Sequence, residues 1–127
     1  MQHTTIKTFE DACKALNVDA TILNVENVPT KHQAALEAHY KLVIIAEALN
    51  GGWQPNWKNH SERKYMPWFD VISSDENGSG LGLSFDAVDD WHANTIIGSR
   101  LCFVSEEVAE YAATQFKELY EAYYLYL

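Results

Sequence analysis

Arg63 and Arg100 are the two arginines of this chain, and Lys64, Tyr65 and Trp68 follow the first of them in the run R-K-Y-M-P-W-F. A guanidinium stays charged and offers paired donors in a plane, which suits a carboxylate or a phosphate. Trp53, Trp57, Tyr65 and Trp68 supply flat faces on which a base or sugar stacks, worth about 1–3 kcal/mol per base. These types predict a surface for a small anionic ligand or a host protein, carried by Arg63, Lys64, Tyr65, Trp68 and Arg100. A plainer reading stands beside it. Burying a large apolar side chain is worth roughly 1.5–3 kcal/mol, so the aromatics also suit a lid over a core. Arg100 would then pair with one of the chain's many carboxylates.

Other chemistries find weaker support. Asp86, Asp89, Asp90 and His92, with His60, have the ligand types for zinc, manganese or magnesium, but their spacing fits no metal motif. No metal ligand and no cofactor is therefore expected. His32 and His39 stand two helical turns apart, and two imidazoles are too few for a site. Cys13 and Cys102 lack C-x-x-C spacing and read as small buried hydrophobes. Arg100 and Cys102, two apart, are expected on one strand face. There is no G-x-S-x-G elbow and no phosphate-binding glycine loop ahead of a helix, so no catalytic residue is assigned.

Charge narrows the partners. Against 9 basic residues stand 18 acidic ones, a formal net charge of −9. Such a field repels phosphate backbones, and non-specific nucleic-acid binding is not expected. The first residues form no apolar signal core, and no window nears the roughly 18 apolar residues of a membrane span. A cytoplasmic protein without a membrane partner is the expectation. At 127 residues, 47% of them apolar, the chain has the length of a single domain, 1–127.

The elements that must position these groups read as follows. Thr8 caps a short helix ending at Leu16, and Asn17 stops it. Val18 to Val28 is a connector that Ile22, Leu23 and Val25 tack onto the core. Pro29 and Thr30 open a long helix that runs to Asn50 before two glycines stop it, with Asn50 or Gly51 taking the left-handed conformation that closes it. Leu36, Tyr40, Val43 and Ile44 form its apolar row, and its second half is apolar almost all round, as suits a central core helix. Residues 51–64 are irregular. W-F-D-V-I-S is a strand starting near Pro67, with Trp68 and Phe69 on opposite faces. S-S-D-E-N-G-S-G is a turn, and L-G-L-S-F a second strand. Asp86 to Asn94 reads as an acidic loop, and Ile96 to Val104 as a third strand. Ser105 caps one last helix whose stripe is Val108, Ala112, Phe116, Leu119 and Tyr123. The predicted class is α+β: a small antiparallel sheet of about three strands against two long helices and one short amino-terminal helix.

At W-Q-P-N-W, K-Y-M-P-W-F and G-S-R-L-C-F-V-S-E-E-V-A-E-Y the chain resembles a group of small proteins of gut Bacteroidetes and their phages. The resemblance spans about Ile6 to Tyr120. That group has no established activity, so the likeness implies a phage or mobile-element setting and carries no catalytic residue. The function expected is a non-enzymatic accessory protein that binds through the aromatic and arginine surface. The alternative is a virion structural or assembly protein, a homo-oligomer joined through the aromatic tail Tyr123 to Leu127. A metal-dependent hydrolase on the acidic loop is a third possibility.

Overall fold

Thr8 starts the first helix, α1 (Phe9–Leu16), by accepting a hydrogen bond from Asp11 N at 3.0 Å through its hydroxyl. The Asp11 carboxylate reaches back to accept from Lys7 N at 3.0 Å, so two otherwise unpaired donors are satisfied at once. Asn17 ends the helix in the left-handed conformation, φ 57° and ψ 45°. The computed structural model describes residues 2–74 and 80–126, beginning with a 3-10 turn at His3–Thr5.

The connector after α1 is tied down differently from the expectation. Val25 is buried, but Ile22 and Leu23 are exposed. The tie is made by the backbone instead: Gln33 Nε2 donates to the carbonyls of Val25 and Val28 at 3.1 and 3.0 Å. Gln33 belongs to α2 (Thr30–Asn50), which Gly51 closes in the left-handed region at φ 59°. Leu42, Ile45, Ala46 and Leu49 are buried, and α1 together with the two later helices packs around this second half. Most of its apolar girth is thereby covered, and the face carrying Val43 and the exposed Glu47 is left open. Leu36, nearer the amino end, stays exposed.

Among the described residues the sheet has two strands, β1 (Lys64–Ser74) and β2 (Gly80–Trp91), paired antiparallel. Within the expected turn Ser73 to Gly80, residues 75–79 lie outside the described residues. Two expectations change here. The acidic segment Asp86 to Trp91 is not a loop but the second half of β2, with Asp89 opposite Met66 and Asp90 opposite Tyr65. The third strand does not form. Gly98 sits at φ 78°, a left-handed value that breaks an extended run, and Thr95 Oγ1 folds the chain by accepting from Ile97 N and Gly98 N at 3.1 and 2.8 Å. What survives is a single bridge, in which Tyr65 and Phe103 exchange main-chain bonds of 3.0 and 2.7 Å.

That bridge also explains why a proline sits inside β1. Tyr65 N points away from β2 toward Phe103. Pro67, two residues on, occupies the same outward slot, so its missing N–H takes no bond from the ladder. Trp68 pairs with Ala87 and Phe69 with Phe85, leaving Asp86 as the extra residue of a bulge. Trp68 and Phe69 do take opposite sides, as expected. Phe69 packs on the core, its ring 5.1 Å from that of Tyr120, whereas Trp68 is 48% exposed.

The last helix is two helices. Ser105 Oγ accepts from Val108 N at 3.2 Å and opens α3 (Glu106–Gln115), and α4 (Lys117–Tyr124) follows a break at Phe116, φ −114° and ψ 30°. Thr114 Oγ1 donates back to Glu110 and Tyr111 carbonyls at 3.0 and 3.3 Å, a bond pattern that bends helices. The break shifts the buried stripe to Val108, Ala112, Phe116 and Tyr120, with Leu119 and Tyr123 on its flank. α3 packs on both strands and α4 on β2 and α2, where Glu121 Oε2 accepts from Leu83 N at 2.8 Å. Among the described residues the architecture is α+β, a two-stranded antiparallel sheet with four α-helices. No helix of the described residues is long and apolar enough to cross a membrane.

Candidate functional site

Lys64 is the most unusual residue of the chain, a charged side chain with 0% exposure. A buried ammonium is tolerated only when its donors are all used and its charge is balanced. Its Nζ donates to the Asn59 and Glu62 carbonyls, each at 3.1 Å, and to the His92 carbonyl. The Glu62 carboxylate lies 3.5 Å away, and the Trp57 ring faces the ammonium with its centroid at 5.0 Å. Asparagine turns bring those carbonyls into place, since Asn56 and Asn59 side chains accept from Lys58 N and Ser61 N at 3.0 Å. Glu62 closes the loop by accepting from Asn56 N at 2.7 Å, and this bond, aided by the nearby Lys64 charge, holds its carboxyl below the ordinary glutamate range. Lys64 is thus the internal cation around which residues 56–62 fold.

Trp57 links this node to the segment after β2, donating through Nε1 to Ser99 Oγ. The same segment is clamped to the end of α2. Asn50 Nδ2 donates to the Cys102 carbonyl at 3.0 Å while its Oδ1 accepts from Val104 N at 3.0 Å. Between these two clamps lies an open groove of about 720 Å³. One wall is a single face of α2, where His39, Val43, Glu47 and Asn50 recur at helical spacing. Trp53, Gln54 and Pro55 form the rim, and residues 97–101 form the opposite wall, which includes Arg100. A groove of this size falls within the usual range for a small-molecule site.

Of the residues expected to bind, Arg100 lines this groove, and it forms no ion pair among the described residues. The others lie elsewhere. Arg63 pairs with Asp90, Nε to Oδ2 at 3.4 Å. Lys64 has its donors turned to main-chain carbonyls, Tyr65 packs against the core, and Trp68 stands on the hairpin. The expected surface therefore divides into an internal node and a separate groove. Trp53, for which stacking on a ligand and a lid over the core were both expected, is half-buried and lines the same groove as Arg100. His39, Glu47 and Asn50 were not foreseen as lining residues. Their spacing just before Gly51 was the available signal, masked because the apolar residues around them define the helix so strongly.

The remaining candidates are placed as follows. The described residues contain no group of three or more His, Cys, Asp and Glu able to hold a metal ion. Asp90 faces Arg63, and Asp89 Oδ1 accepts from Asp90 N at 2.8 Å. Cys13 and Cys102 are both buried and free, and burial pushes the Cys102 thiol up to about 11. Cys102 points inward and donates to the Ser99 carbonyl, whereas Arg100 is exposed, so the two do not share a strand face.

No protein-family model, curated protein or solved structure matches this chain.

Proposed function

We propose that the protein is a binding protein for a small organic anion, held in the groove between α2 and residues 97–101 with Arg100 as the anion anchor. The observation that carries this reading is Arg100 itself: an exposed guanidinium without an ion pair among the described residues, on the wall of a groove that mixes polar side chains with the apolar Val43, Trp53, Pro55 and Ile97. Trp53 and Pro55 offer an apolar rim for the body of the ligand, and the guanidinium offers paired donors for a carboxylate. The phage or mobile-element setting implied by the sequence resemblance belongs to the same proposal, as an accessory role outside catalysis.

Calorimetric titration with 3-phenylpropanoate tests it. The native chain binds the probe, and Arg100→Ala weakens binding by about tenfold or more, as loss of a charge-assisted bond does. Because Arg100 is exposed, the circular dichroism melt of that variant stays close to the native one. Equal affinity in the variant would remove Arg100 from the site.

A second reading, homo-assembly, is favoured by the hairpin. Val71, Ile72 and Leu81 are 59%, 49% and 47% exposed, and together with Trp68 they form an apolar arm. In the tail Tyr123 stacks on His39 at 4.7 Å while Tyr126 is 72% exposed, so the tail adds to this reading through Tyr126; Leu127 lies outside the described residues. Light scattering across a concentration series is expected to show self-association that Trp68→Ser with Ile72→Ser abolishes. A native chain that stays monomeric at every concentration rules this reading out.

A further inference from the structure

The groove has two poles of opposite charge. Arg100 stands on the wall formed by residues 97–101, and Glu47 stands on the α2 wall. Among the described residues no ion pair joins them, so neither neutralises the other by direct contact. The Glu47 side has a second source of negative potential. Residues 47–50 form the last turn of α2, the negative end of the helix dipole, and that turn holds no basic residue to offset it. The same lining carries apolar side chains, Val43, Trp53, Pro55 and Ile97, beside the polar Asn50, Gln54 and Ser99.

The walls are also braced. The Asn50 amide is occupied at both ends by the Cys102 carbonyl and Val104 N, which fixes the distance between α2 and the Arg100 segment. Ser99, next to Arg100, is held by Trp57 Nε1. His39 Nδ1, on the same α2 face one helical turn before Val43, is buried without a hydrogen-bond partner. An anion alone would satisfy Arg100 but would be placed near Glu47 and the carbonyl end of α2, where it is repelled. A ligand that also carries a cationic group turns that repulsion into attraction.

We propose, resting on the anion-site reading above, that the ligand is a zwitterion with an apolar body, of the apolar amino-acid type: its carboxylate pairs with Arg100, its ammonium with Glu47, and its side chain lies between Trp53 and Ile97. The site then discriminates against simple anions because the Glu47 pole would be left facing a like charge.

Three matched probes, titrated into the full chain by calorimetry, separate the possibilities: L-phenylalanine, 3-phenylpropanoate lacking the ammonium, and 2-phenylethylamine lacking the carboxylate. L-Phenylalanine is expected to bind about tenfold or more tighter than either partner probe. Glu47→Gln removes that advantage, bringing L-phenylalanine to the level of 3-phenylpropanoate while the latter holds or tightens. Arg100→Gln weakens L-phenylalanine and 3-phenylpropanoate together. If 3-phenylpropanoate binds the native chain as tightly as L-phenylalanine, or Glu47→Gln leaves their ratio unchanged, the zwitterion inference is overturned while the anion site stands. If none of the three binds, both fall.

Discussion

Lys64→Met lowers the unfolding free energy by about 3–5 kcal/mol, a large share of what a domain of this size has. Methionine matches the length of the lysine stem but brings no donors. The Asn59, Glu62 and His92 carbonyls would lose the ammonium that now serves all three, and the Trp57 face would lose its cation. The half-buried Glu62 carboxylate would keep its bond from Asn56 N but not its counter-charge. A urea titration followed by circular dichroism reads the effect as a lower midpoint at unchanged slope. Lys58→Met is the matched control, because Lys58 is exposed, and it should move stability by less than about 0.5 kcal/mol. A loss below about 1 kcal/mol for Lys64→Met would show that residues 56–62 hold together without the cation.

Phe103→Ala is expected to cost about 3–5 kcal/mol, the usual range for deleting a buried phenylalanine ring. Phe103 is fully buried, and it belongs to the core with Leu83, Leu101 and Tyr120. Its main-chain bonds with Tyr65 do not require the ring, so the cost comes from the cavity and lost packing and not from the bridge. Phe103→Leu keeps much of the volume and should cost less than half as much. The consequence extends to the groove. Residues 97–101 are held from one side by this anchor, so the alanine variant should also bind 3-phenylpropanoate more weakly at temperatures where it remains folded. An alanine variant with native stability would mean that the segment is held by its Asn50 clamp alone.

Much of the helical framework was legible because helix signals are local. Thr8, Asn17, Gly51 and Ser105 each act on a neighbour a few residues away, and each begins or ends a helix where its side chain or its freedom in φ predicts. The alternation of Trp68 and Phe69 was legible for the same reason. The sheet was not. Whether Ile96 to Val104 becomes a strand depends on whether another strand lies alongside for its length, and residues 95–98 turn away after Thr95, leaving only Phe103 to meet β1. Asp86 to Trp91 is polar enough to read as a loop, yet β1 continues past Pro67 back to Lys64 and supplies it with a partner.

The residue types that could bind an anion, and the helices that carry or flank them, follow from the sequence alone. What tertiary structure decided is which of those types are free to act. Arg63 and Lys64 are adjacent in the chain, yet one is paired at the surface with Asp90 and the other is sealed inside by three carbonyls. Arg100 is left without an ion pair among the described residues and is set across a groove from Glu47, a residue 53 positions earlier. The physical reason is that charge and aromatic character are properties of single residues, whereas desolvation, pairing and the shape of a groove depend on what distant segments bring alongside. The clamp from Asn50 to Cys102 and Val104 is such a contact, and it sets the groove's width.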